Sequence, residues 1–301
     1  MGLMTSINVE PDTTPQQHFL NTGYHIIPNN FSRACPRYLH GTRRVSYVMD
    51  RIRTSKTRAG FYVWCAPPRS GKTLGTMEAI NLLMSTNEIR GYRYLDMKNM
   101  GDMTPLEYVY SSIPNNIKEP GRNFLSPESL HGQQDHYVLV LDNLDVIEYD
   151  HAIDLSDMLL SVGHDSRLDM RFLSIIGLCN NINTTNRMLE ANHGKKVYPI
   201  FWGHNPNDWD KNFLEDSEIQ QILDMCSFDD KKAMIPALKG LKTIGHVENF
   251  IEDVHLNPDN VCSISATYEK LAKYDNDVWD TYHRGVYSRI AQVKRVLELQ
   301  K

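Results

Sequence analysis

Apolar residues recur at two different periods along this chain of 301 residues, and the change of period predicts the elements. The continuous apolar run at 137–141 predicts a strand covered on both faces, as the inner strands of parallel sheets are, and the largely apolar stretches at 60–65 and 171–178 predict two more. Runs at 91–97 and 196–202 predict two more, the last with Pro199 at an edge or a strand end. Helical spacing fills the intervals. Val45, Val48, Met49 and Ile52 predict a helix over 42–54, and Leu74, Met77, Ile80, Leu83 and Met84 predict one directly after the first strand. Further helices are expected at 105–112, 151–162 and 184–191. Strands alternating with helices predict an α/β architecture around a parallel sheet.

Past Asp216 the strands cease. Ile219, Ile222, Leu223 and Cys226 mark one helix, and others are expected over 233–241, 245–254 and 265–274. A separate last helix carries Trp279, Tyr282, Val286, Ile290, Val293 and Leu297 at spacings of three and four, a stripe suited to packing on the same bundle or to docking another subunit. At the other end, Pro11, Pro15 and Pro28 punctuate a stretch with no period, and a proline-rich loop spans 114–130. The resulting division is an extended arm over 1–40, a sheet domain over 41–212 and a helical domain over 213–301.

Composition changes this picture little: 41% hydrophobic and 23% charged residues are ordinary for a soluble globular chain. No apolar run has bilayer length, and no secretory signal opens the sequence. The start Met-Gly-Leu-Met-Thr-Ser formally fits a myristoylation signal on Gly2, but the pattern is short and the basic residues lie far from it. Five cysteines without C-x-x-C pairs point to reduced thiols and a cytoplasmic or other reducing compartment. The twelve histidines show no zinc spacing. Charge is distributed unevenly: Arg33, Arg37, Arg43, Arg44, Arg51, Arg53, Lys56 and Arg58 face the single acid Asp50 within 33–58. That run is either a solvated helix face or a candidate surface for nucleic acid.

The chemistry concentrates at strand ends. Residues 61–76 read FYVWCAPPRSGKTLGT, a strand, a turn and a helix start. The first N–H groups of a helix have no intrahelical partner and attract anions. Gly71 allows close backbone approach, Lys72 can reach β- and γ-phosphates, and the Thr73 hydroxyl can ligate Mg²⁺. Pro68, Arg69, Ser70 and Leu74 complete the candidate phosphate-binding loop. Ala66 stands where the pattern G-x-x-x-x-G-K-[ST] has its first glycine, which requires a negative φ there. The strand at 137–141 runs into Asp142, a carboxylate at the C-terminal edge of a sheet, where a phosphate-bound Mg²⁺ would satisfy it. The next strand ends at Asn180 and Asn181, amides suited to a γ-phosphate, to a water or simply to capping the following helix.

Together these features resemble the AAA+ and STAND branch of P-loop ATPases, and A-P-P-R-S-G-K-T looks most like the archaeal-type form of the loop. The resemblance implies a three-layer P-loop sandwich with sheet order 5-1-4-3-2 and a C-terminal helical lid over ATP and Mg²⁺. By position it makes Lys72 the phosphate lysine, Thr73 and Asp142 the Mg²⁺ ligands, and Asn180 the sensor-1 residue. Asn143 replaces the glutamate that usually follows the aspartate, so Asp145, two places on, is the carboxylate left to act on water, and slow turnover is expected. The lid arginine of the family is absent. Gly245 and His246 occupy that turn, with His246 a candidate to approach the nucleotide. Arg167, Arg171, Arg187, Lys195 and Lys196 are candidates for an arginine finger or its equivalent.

The expected function is an ATP-dependent conformational switch or motor, homo-oligomeric and acting on nucleic acid through 33–58. The alternative is a nucleotide-binding scaffold with little or no hydrolysis. No guanine-reading N-K-x-D motif is visible, which points to adenine.

Overall fold

The computed structural model describes residues 43–55, 61–89, 91–111, 136–148, 150–155, 173–190, 197–199, 213–225 and 230–299. The extended arm, the 114–130 loop, Arg33, Arg37, Lys56, Arg58, Arg167, Arg171, Lys195 and Lys196 lie outside these residues.

The five strands are β1 (Phe61–Cys65), β2 (Gly91–Asp96), β3 (Tyr137–Asp142), β4 (Leu173–Cys179) and β5 (Val197–Pro199). They form one sheet in the order β2-β3-β4-β1-β5 with every neighbouring pair parallel, which from the other edge is the expected 5-1-4-3-2. All five residues of β1 are buried, as an inner strand covered on both faces requires. Around the sheet lie α1 (Arg43–Ser55), α2 (Lys72–Ser85), α3 (Pro105–Ser111) and α4 (Ile182–Glu190). The β1–α2–β2 and β4–α4–β5 connections travel along the sheet in opposite directions, so right-handed crossovers put α2 and α4 on opposite faces. This gives a three-layer sandwich, with the parallel sheet between helices. Register aligns Asp96 with Asp142 and Cys65 with Cys179, so the C-terminal tips of the strands form one edge.

The C-terminal bundle comprises α5 (Asp216–Met225), α6 (Ile235–Gly240), α7 (Ile244–Leu256) and α8 (Val261–Leu299). It has its own core, in which Ile222, Leu238, Phe250 and Val254 are fully buried. Two separate helices were expected at 265–274 and from 279 onward, but α8 is a single helix of 39 residues, roughly 58 Å long. Asp275 and Asn276 lie at the expected join, and such side chains can compete with helical backbone bonds. Here the Asp275 carboxylate is buried and accepts from the backbone N–H groups of Lys242 and Thr243, while Asn276 bonds the Ala272 carbonyl inside the helix.

The stripe on the second half of α8 has a different partner from the bundle. Trp279, Val286 and Ile290 belong to the core cluster of the sheet. Close approach to α4 depends on Gly285, where a Cβ would stand 2.9 Å from Ile182 Cγ2. The Asn186 side chain donates to the Gly285 carbonyl, and Arg289 pairs with Glu190. One helix therefore spans both cores.

Candidate functional site

The C-terminal edge of the sheet opens into a cleft of about 350 Å³ between the β1–α2 loop and the start of α7. It is lined by the whole candidate loop, Pro68 through Leu74, by Asp142, Asn143 and Asn180 from the β3 and β4 tips, and by Ile244, Gly245 and Glu248 from α7. Gly71 has φ 82° and Arg69 φ 61°, both left-handed, so the loop turns sharply enough to bring successive amides to one side. Ala66 is not among the positive-φ residues, as the sequence required. A buried arginine supports the turn from α1: Arg44 Nη1 donates to the Ser70 carbonyl at 3.1 Å.

Lys72 is buried and turned back onto its own loop. Its ammonium donates to the carbonyls of Ala66 and Pro67, each at 2.9 Å, and to Asn180 Oδ1 at 2.6 Å. Burial pushes the ammonium down to about 8, although nearby Asp142 and Asp145 favour the charge. Thr73 Oγ1 donates to Asp142 Oδ2 at 2.7 Å, which brings the two expected Mg²⁺ ligands together across adjacent elements. The same oxygen accepts from Tyr94 Oη at 2.8 Å. Burial first, and then the Asp142 charge, push the Tyr94 phenol upward, so it remains a donor. A hydroxyl beside one carboxylate suits Mg²⁺ that arrives with phosphates and keeps several waters. Among the described residues no cluster of three His, Cys, Asp or Glu side chains offers an all-protein metal cage.

Asp145 is not in the cleft. Its Oδ1 accepts from the N–H groups of Asn180 at 2.7 Å and Asn181 at 2.6 Å and from the Cys179 thiol, and its Oδ2 accepts from Asn180 Nδ2 at 2.6 Å. The expected direct action on water is corrected on that ground: the short 3₁₀ turn Leu144–Val146 swings this carboxylate toward β4, where four donors occupy it. Asp145 instead orients Asn180, whose carbonyl oxygen is thereby left for Lys72. Asn143 lines the cleft in a left-handed conformation, φ 56°, and its Nδ2 donates to Asp96 Oδ1 at the neighbouring β2 tip.

His246 does not approach the cleft either. Its Nδ1 meets Asp275 Oδ1 at 2.8 Å, because that buried carboxylate already collects the turn before α7. Contact between α7 and the loop runs through Gly245, whose N–H donates to the Arg69 carbonyl at 2.9 Å. Arg69 Nη2 returns bonds to the Gly245 carbonyl and to Asn249 Oδ1. A Cβ at Gly245 would lie 2.6 Å from Arg69 Nε, so the approach depends on glycine.

The described arginines of the basic run are engaged inside the molecule. Arg43 pairs with Glu215, Arg44 holds the loop, Arg51 lies over the Tyr47 ring, and Arg53 forks onto Glu88. Sequence reasoning missed Tyr94, Arg44, Glu248 and also Tyr282, whose hydroxyl donates to the Asn180 carbonyl from α8. None carries a linear signal, since each is brought in by packing between elements distant in sequence.

No protein-family model and no curated protein sequence matches this chain. Similar solved structures include the ORC2 protein of Aeropyrum pernix in ADPNP-ADP complexes, with 12% identity and a TM-score of 0.45 over 74% of this chain and 66% of that one. The ORC1 protein of Aeropyrum pernix in complex with DNA gives 13% identity and a TM-score of 0.42 over 78% and 68%. Cdc6p of Pyrobaculum aerophilum gives 15% and 0.39 over 72% and 62%. This chain thus spans about two thirds of the length of these archaeal structures.

Proposed function

We propose that this protein is a P-loop ATPase of the AAA+/STAND type, binding ATP with Mg²⁺ in the cleft and using its nucleotide state as a conformational switch. One observation carries the reading: Thr73 and Asp142 meet at 2.7 Å beside the buried Lys72, at adjacent tips of one parallel sheet, on an open cleft. The loop amides and the N-terminus of α2 suit a polyphosphate. Thr73 and Asp142 would hold Mg²⁺, which when bound neutralises charge on the β- and γ-oxygens.

Lys72 exchanges the Ala66 and Pro67 carbonyls for phosphate oxygens, and that exchange releases Asn180. Asn180 is tied through its own carbonyl to Tyr282 on α8, so occupancy at the loop is felt by the helix that spans both cores. This connection favours a switch whose helical domain moves against the sheet. Asn143 stands where the family carries a glutamate and cannot take a proton itself, so any base must come from elsewhere in the cleft and slow turnover is expected. The scaffold alternative shares the binding site and differs only in releasing no phosphate.

Lys72→Ala removes the one buried cation of the loop. A fluorescent ATP analogue, titrated against wild type and variant, is expected to bind the variant at least about 100-fold more weakly, a loss on the order of 3 kcal/mol. Equal affinity would overturn the site.

A further inference from the structure

We propose that Glu248 is the general base of the reaction, taking the proton of the attacking water from the α7 side of the cleft; the inference rests on the ATPase reading above. Two of the described residues lining the cleft carry carboxylates, Asp142 and Glu248. Asp142 is committed, because its oxygens accept from Thr73, Tyr94 and the Asn143 N–H. Asp145 faces away with four donors on it, and Asp96 holds Asn143 and the Lys98 N–H. Glu248 differs from all three. Its carboxylate accepts no hydrogen bond among the described residues; Oε1 is shielded from bulk water, which leaves Oε2 as the oxygen that can meet a water in the cleft.

Placement follows from α7. Gly245 is pinned to Arg69 by backbone and side-chain bonds, and Glu248, three residues on, shares that face of the helix. Burial pushes the Glu248 carboxyl above its ordinary range; Arg69 of the loop opposes this and Glu252, one turn along α7, adds to it. An acceptor with an unused lone pair, displaced toward neutrality, is what proton abstraction from water requires. In the step, the water oxygen bonds to Pγ while the bond from Pγ to the bridging oxygen breaks, and that electron pair leaves with ADP. One water proton passes to Glu248 and then to solvent, and the other stays on the phosphate.

The test uses the full chain, with E248Q as the variant that keeps shape and hydrogen bonding and E248D as the one that keeps the charge. E248Q is expected to match the wild-type melting temperature and to bind a non-hydrolysable fluorescent ATP analogue within about threefold, while its turnover falls about 10²–10⁴-fold. Denaturing the incubated E248Q complex should release ATP where the wild type releases ADP, and E248D should recover part of the rate. Wild-type turnover should decline on acidification as Glu248 protonates, and the residual E248Q rate should not. Wild-type turnover in E248Q overturns the inference, as does loss of analogue binding in step with turnover, or a wild type that binds ATP and releases no phosphate. A wild type that binds no ATP refutes the ATPase reading and this inference with it, and the binding measurement shows which of the two has failed.

Discussion

At the scale of single residues, the site depends on which donors reach which oxygens. Asp142 is 6% exposed, and such a carboxylate is stable only when its lone pairs are used. Thr73 and Tyr94 use two of them on one oxygen. Tyr94 thus fixes the carboxylate from outside the proposed Mg²⁺-binding pair, the kind of support whose loss typically costs about 10–100-fold in metal affinity. Tyr94→Phe is therefore expected to raise the Mg²⁺ concentration needed for half-maximal nucleotide binding by about tenfold, measured in Mg²⁺ titrations with the fluorescent analogue. An unchanged Mg²⁺ dependence would mean that Thr73 alone orients Asp142. The residue scale also shows why Asn143 is not a simple lesion: its amide is anchored by Asp96, which keeps it at the cleft wall.

At the scale of elements, the join between α7 and α8 is decided by one buried acid. Asp275 takes the N–H groups of Lys242 and Thr243, the Thr243 hydroxyl and His246 Nδ1. Burial pushes its carboxyl up, but the bonds from His246, Thr243 and Lys242 outweigh this and hold it below the usual carboxylate range. A depressed folded value stabilises the fold above the unfolded value near 3.9, and that stability is lost as pH falls through the lower folded value. Asp275→Asn is expected to cost about 2–3 kcal/mol at neutral pH in urea unfolding. The gap between wild type and variant should narrow below about pH 4, because protonation makes the wild type resemble the amide. A gap that stays constant down to pH 2 would show that shape, not charge, holds the turn.

At the scale of the whole molecule, α8 makes two cores behave as one. Trp279 is 2% exposed, packs with the sheet cluster, stacks edge-on against Phe213 at 5.3 Å and donates its indole N–H to Thr243 at the start of α7. Trp279→Ala is expected to cost about 3–5 kcal/mol. Because the lost side chain lies where the cores meet, calorimetry is expected to show one melting transition in the wild type and two in the variant. A single transition at lower temperature would mean that the cores stay coupled through Val286, Ile290 and the Tyr282 hydroxyl. The same helix provides the route by which the loop and the bundle can inform each other, through Asn180 and Tyr282.

The largely apolar stretches made the strands legible, most clearly β1, whose five residues are all buried, and the polar residues that follow them marked Lys72, Thr73, Asp142 and Asn180 as candidates. Local chemistry alone determined that much: strand, turn and helix start are properties of adjacent residues. The continuity of α8, the turn of Asp145 and His246 away from the cleft, and the arrival of Tyr94, Arg44, Glu248 and Tyr282 were decided only in three dimensions. Except for Glu248, which α7 carries into the cleft without a hydrogen-bond partner among the described residues, each of these depends on where a buried charge or hydroxyl finds its partner. Those partners lie 26 to 108 positions away in the bonds that shape the loop, so no window of neighbouring residues contains them.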